Sequence, residues 1–151
     1  ERARGFIEFC DNHARMNTKV VELDFDNDWK ETLEALFATT NDIRGLFVVN
    51  DSVHRVASHV NLIGQKTNTT IIGFDLISQN RRLMENGIID CLISQRPEFQ
   101  GYSAVYQLYR KRILNQKLEK ETEIPIDIIL PENLSSTESM EFMPRIRSYY
   151  Y

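Results

Sequence analysis

Three short apolar runs constrain this chain more than any other feature. "GLFVVN" (residues 45–50), "TTIIGFD" (69–75) and "IIDCLISQ" (88–95) each open on a continuous hydrophobic stretch, the pattern of strands covered on both faces of a parallel sheet. Between them lie two stretches of helical periodicity, "SVHRVASHVNLIG" closed by Gly64 and "SQNRRLMEN" stopped by Gly87. Strands and helices that alternate at intervals of roughly 20 to 25 residues predict βαβ units with right-handed crossovers. The expected fold class is α/β, a parallel sheet flanked by helices.

The flanking segments extend the pattern. Phe6, Ile7, Phe9 and Cys10 recur at helical spacing up to about Met16, and "VVELDF" (20–25) reads as a short strand. In "DNDWKETLEALF", Asp28 with Glu31 three residues on predicts a capping box, and Trp29, Leu33, Leu36 and Phe37 form one apolar face. Pro97 opens a helix that runs to about Gln116, and "IDIIL" (126–130) reads as the last strand. The polar tail after Leu134 reads as loosely held, with "IRSYYY" as a segment able to dock.

With 151 residues, 42% of them hydrophobic and 26% charged, the chain can fill one core. A net charge of −4 and a pI near 5.4 argue against a nucleic-acid-binding surface on this chain, because phosphate binding needs clustered basic charge. The densest basic cluster, Arg110 to Arg112, reads as a solvated helix face. Cys10 and Cys91 have no CxxC spacing, so they indicate neither a disulfide framework nor a zinc site. No run approaches the roughly 18 to 20 apolar residues that span a bilayer. "ERARGF" reads as the inside of a helix, which predicts a longer natural chain.

Catalytic templates find little here. Asp24, Asp26 and Asp28 match the first liganding positions of a calcium loop, but Trp29 and Ala35 stand where such a loop needs glycine and glutamate. His13, His54 and His59 form no HExxH pair, no serine sits in a GxSxG elbow, and six glycines assemble no phosphate loop. Nothing in the sequence argues for an enzyme, a bound metal or a cofactor.

What does stand out is position. Asn50 and Asp51 end one strand, Asp75 ends the next and Gln95 the one after, so a parallel sheet would deliver all of them to one edge. Asn, Asp and Gln offer donors and acceptors at fixed spacing, which suits a ligand rich in hydroxyls. Asp75 alone also reads as a turn former or helix cap, and Asp51 reads better as the cap of the following helix than as a ligand contact. Gly73 would allow close approach beside Asp75.

"GLFVVND", "IIGFD" and "LISQRPEFQGYSAVYQLY", in this order and spacing, resemble the C-terminal half of the effector-binding domain of lactose-repressor-like transcription regulators. That domain is itself similar to type I periplasmic sugar-binding proteins, and "ERARGF" looks like the family's arginine-bearing helix start. The resemblance implies one lobe of a two-lobe, periplasmic-binding-protein-like fold with a sugar or nucleobase held between the lobes. Residues 1–95 and 124–134 would form the C-terminal lobe, 97–116 a helix packed on an absent N-terminal lobe, and 135–151 a tail. Arg2, Asn50 and Asp75 would bind the ligand, Gln95 would sit at the crossing between lobes, and Trp29 or Phe74 would supply an apolar wall, with core packing favoured for Phe74.

The same resemblance implies a homodimer, with Arg55, His59 and Leu83 near its interface, and DNA contacts through a head not present in this chain. The stripe Phe99, Tyr102, Tyr106, Tyr109 and Ile113 would then be poorly covered or buried against another copy. Two unpaired cysteines favour a reducing cytoplasm. The competing expectation is an extracytoplasmic sugar receptor of a transporter or sensor system.

Overall fold

The computed structural model describes residues 1–14, 16–40, 42–118 and 123–137. Among the described residues there are five α-helices and one four-stranded sheet: α1 (Arg2–Phe9), α2 (Trp29–Thr39), β1 (Gly45–Phe47), α3 (Val53–Leu62), β2 (Thr70–Phe74), α4 (Ser78–Glu85), β3 (Cys91–Ser94), α5 (Pro97–Arg112) and β4 (Asp127–Ile129). A π-helical turn, Cys10–Ala14, extends α1. The strand order is β1-β2-β3-β4.

The first three strands are parallel, with Leu46 beside Ile71 and Gly73 beside Leu92. This is the expected α/β sheet, with one difference: β4 runs antiparallel to β3, pairing Ser94 with Asp127. A parallel crossover requires its helix to pack back on the sheet, and α5 buries none of its residues. The chain therefore re-enters the sheet from the Ser94 end. The run 20–25 forms no strand; Leu23 and Phe25 lean on the core while Val20 is 63% exposed.

The core holds Leu33 from α2, Val53, Val56, Ala57 and Val60 from α3, Ile71 and Leu92 from the sheet, and Met84 and Ile89 around α4. Each such aliphatic side chain contributes about 1.5–3 kcal/mol by leaving water. Gly64 and Gly87 both have positive φ, as the ends of α3 and α4 require.

Two local expectations change. Asp28 occupies the N-cap of α2, but its side chain makes no cap bond. The preceding turn is organised by Asp24 instead, whose carboxylate accepts the Asp26 amide at 3.1 Å and the Asn27 side-chain amide at 2.6 Å. First the Asn27 bond and then the Asp26 amide hold the Asp24 carboxyl below its ordinary 3.8. A depressed carboxyl contributes to stability above its unfolded pKa and ceases to as pH falls through the folded value. An NMR titration should therefore place the Asp24 midpoint below 3.8, and Asn27→Ala should move it upward.

Gly73 also has a different task from the one expected. A Cβ built there would stand 2.5 Å from Val53 Cβ, so the missing side chain admits α3 onto β2 rather than a ligand onto Asp75. Among the described residues, no helix is long and apolar enough to cross a membrane.

Candidate functional site

The carboxyl ends of β1, β2 and β3 meet one side chain from the start of the chain. Arg2, on α1, donates from Nη1 to the Val49 carbonyl at 2.7 Å and from Nη2 to Gln95 Oε1 at 2.8 Å. Its guanidinium lies 4.3 Å from the centroid of the Phe74 ring. Gln95 Nε2 in turn donates to Asp75 Oδ1 at 3.4 Å. One cation thus touches the ends of three strands. Phe6 of α1 stacks on Phe47 at 4.4 Å and fixes the helix that carries Arg2.

Asp75 has φ 64, a left-handed conformation that few non-glycine residues adopt. Its amide continues the ladder to the Ile93 carbonyl at 3.0 Å, and its own carbonyl accepts Asn80 Nδ2 at 2.9 Å. Asn80 is fully buried and also donates to the Phe74 carbonyl and the Asp51 carbonyl, each at 3.0 Å. Its Oδ1 accepts the His54 amide at 3.1 Å, in the first turn of α3. A single side chain joins the end of β2 to the start of α3, and sequence reasoning missed it. Its only signal was an asparagine within the helical stretch "SQNRRLMEN".

Asn50 is exposed at the same edge. Its Oδ1 accepts the Ser52 amide at 3.1 Å, closing the turn into α3. Asp51 does not cap α3 with its side chain, as expected from sequence; Ser52 holds the N-cap position, and Asp51 contributes its backbone carbonyl to His54 Nδ1 at 3.1 Å. Phe74 is buried, as favoured, and doubles as the platform under Arg2.

Trp29 packs with a different group of side chains. Its ring is buried between α2 and α3, 5.4 Å from both Phe25 and His59. Arg55 lies over Phe25 at 4.5 Å and donates to the Phe25 carbonyl at 2.8 Å. His59 is only 7% exposed, with Nε2 2.8 Å from Glu34 Oε1. Trp29, Arg55 and His59 line an open concavity of ≈ 500 Å³ with Lys30, His54, Ser58 and Leu62. The side chains of Arg55 and His59 are thus engaged within their own chain, while Leu83, on α4, packs against the core.

α5 starts at Pro97, with Arg96 between it and Gln95. Tyr102 and Tyr106 stack at 5.7 Å and Tyr106 and Tyr109 at 6.5 Å along its surface, and Ile113 is 69% exposed. No group of three His, Cys, Asp or Glu side chains among the described residues is arranged to hold a metal ion. Cys10 and Cys91 are free, and burial, then the nearby Asp90 charge, push the Cys91 thiol up.

The profile of the periplasmic binding protein domain matches residues 1–116 of the 151. The chain belongs to the periplasmic binding protein domain family. Solved structures of similar fold include a putative LacI transcriptional regulator from Bacteroides fragilis, at TM-score 0.79 and 23% identity over 89% of this chain and 47% of that one. An ABC transporter solute binding protein from Agrobacterium vitis, bound with α-D-tagatopyranose, superposes at TM-score 0.78 and 24% identity over 91% and 47%. Another from Agrobacterium vitis, with bound D-fucose, gives 0.77 and 18% over 91% and 48%. This periplasmic-binding-protein-like lobe spans about half the length of each of these structures. No curated protein matches the sequence.

Proposed function

We propose that the carboxyl edge of β1–β3 binds a sugar, and that the chain is the C-terminal lobe of the effector-sensing domain of a DNA-binding transcription regulator. The observation that carries this reading is the convergence of Arg2, Asp75 and Gln95, with Asn50 beside them, at the ends of three parallel strands. A guanidinium, a carboxylate and two carboxamides supply donors and acceptors in both senses, as a neutral polyol requires. In relatives of the same fold the bound molecules are monosaccharides.

On this reading residues 1–95 and 124–134 make one lobe, and the open face of α5 packs on a second. Sugar binding between lobes shifts their relative angle and with it the population of DNA-competent dimers. Arg55, His59 and Leu83 remain the proposed neighbourhood of the dimer face, and the free cysteines favour a cytoplasmic setting. The second reading is an extracytoplasmic receptor, favoured by the two solute binding proteins that superpose as closely as the regulator does. Residues encoded ahead of this chain separate the two, a basic helix-turn-helix favouring one and a signal peptide the other.

A thermal-shift screen of the whole protein with D-tagatose, D-fucose, common hexoses and pentoses, and nucleobases tests the site. A sugar at 100 times its Kd should add about 2.7 kcal/mol of stability. Calorimetry on the best hit should then show Asp75→Asn weakening binding by about tenfold to a hundredfold, the loss of one charged hydrogen bond. If affinity survives both Asp75→Asn and Arg2→Ala, the ligand binds elsewhere.

A further inference from the structure

Arg96 adopts a backbone conformation that its own chemistry disfavours. It precedes Pro97, which pushes the residue before it toward extended backbone, yet it has φ 52 and ψ 60. Glycine would take this conformation freely; arginine needs a reason to be held in it. The neighbouring contacts supply one. Arg96 Nε donates to Asp127 Oδ2 at 2.7 Å and Nη2 to Asp127 Oδ1 at 2.6 Å, a two-pronged grip on the first residue of β4. Its amide donates to Ser94 Oγ at 3.3 Å, and Ser94 pairs with Asp127 across the ladder.

The residue held beside this grip is Gln95. Its side chain accepts from Arg2 and donates to Asp75, while its backbone carbonyl accepts Gln100 Nε2 from the first turn of α5 at 2.8 Å. The carbonyl of Arg96 accepts the Gln100 amide at 3.0 Å. Gln95 is therefore fixed to the strand ends on one side and to α5 on the other. The angle between these two attachments is set at Arg96.

We infer that the Arg96–Asp127 pair is a positioning clamp, holding the β3–α5 turn so that the reach of Gln95 toward Asp75 and the direction of α5 are set together. The forks of the pair close on each other rather than on Arg2 or Asp75, so both act through Gln95. A rigid fork explains why the position carries arginine, because a glycine would relax the turn but could not tie it to β4. The importance of the clamp for sugar binding rests on the function proposed above. Its hold on Gln95 does not.

The test reads the side chain directly. In the ¹⁵N-labelled chain, the Gln95 and Gln100 side-chain amide resonances are assigned by Gln95→Glu and Gln100→Glu. They are then followed in Asp127→Ala and Arg96→Gly, with melting temperature recorded for each variant. Both variants should shift the Gln95 NH₂ pair and speed exchange of the Gln100 NH₂, and Arg96→Gly should do so with little loss of melting temperature, since glycine removes the backbone strain. Arg96→Lys, which cannot form the fork, should resemble Asp127→Ala. Unmoved Gln95 resonances in both variants overturn the clamp. So do variants that simply fail to fold, which would make the pair an ordinary stabilising contact. A wild-type chain that ignores D-tagatose and D-fucose bears on the ligand reading alone and leaves the resonance result standing.

Discussion

Replacing Asn80 with aspartate should destabilise the fold by about 3–5 kcal/mol and lower its melting temperature by about 10 °C, although the side chain keeps its size and shape. Asn80 has no exposed surface, and its Nδ2 serves the carbonyls of Asp51, Phe74 and Asp75. Aspartate cannot donate, so the Phe74 and Asp75 carbonyl oxygens would lose this donor and face a carboxylate, while the Asp51 carbonyl would keep its contact with His54 Nδ1. Each buried polar group left without a partner costs about 1–3 kcal/mol, and such losses within one network do not simply add. Asn80→Leu should cost a comparable amount, because it also strands the His54 amide in the first turn of α3. Urea denaturation followed by circular dichroism measures both. A loss below about 1 kcal/mol would mean that water or backbone movement replaces the amide, and the proposed junction would not exist.

Gly73→Ala should cost about 1–3 kcal/mol by overpacking, although alanine is the smallest substitution available. The new methyl would meet Val53 Cβ, Cγ1 and Cγ2 at 2.5, 2.5 and 2.6 Å, closer than real Cβ atoms come to any neighbour. Val53 lies in the first turn of a buried helix, so relief requires α3 to lift from β2, taking Asn50 and the Ser52 turn with it. Trimming Val53 to alanine in the same chain should restore only part of the loss, because Val53 Cβ is itself one of the clashing atoms. Full restoration by Val53→Ala would show that the clash lies with the branched methyls alone. Sugar affinity, where a sugar binds, should fall alongside stability.

The strand ends were legible because period and position determine them together. Continuous apolar runs separated by helical stretches leave one reading for β1 to β3, and polar residues at their ends then share an edge by geometry alone. The sense of β4 was not legible, because nothing in "IDIIL" records that the helix before it stays off the sheet. The run 20–25 has strand composition, but composition does not supply a hydrogen-bonded neighbour. Asn80 was invisible for a different reason. Polar residues in a polar helix read as solvated, and only three-dimensional packing turns one of them inward. Trp29 was read by its chemistry, whereas its location depended on where α2 and α3 met.

The span of the Arg2 contact also bears on how the protein is made. Arg2 and Gln95 are 93 positions apart, and Val49 lies between them. During synthesis the arginine leaves the ribosome first, at a pace of about 5–20 residues per second, and waits several seconds for its last partner. The β1–β2 pair can form in the interval, but the edge that gathers all three strands cannot. Truncation series released from stalled ribosomes should therefore acquire protease resistance around the sheet before α1 is protected. The strand-end edge is thus assembled only after Gln95 has emerged, so shorter nascent chains present Phe6 and an Arg2 that lacks its Gln95 partner.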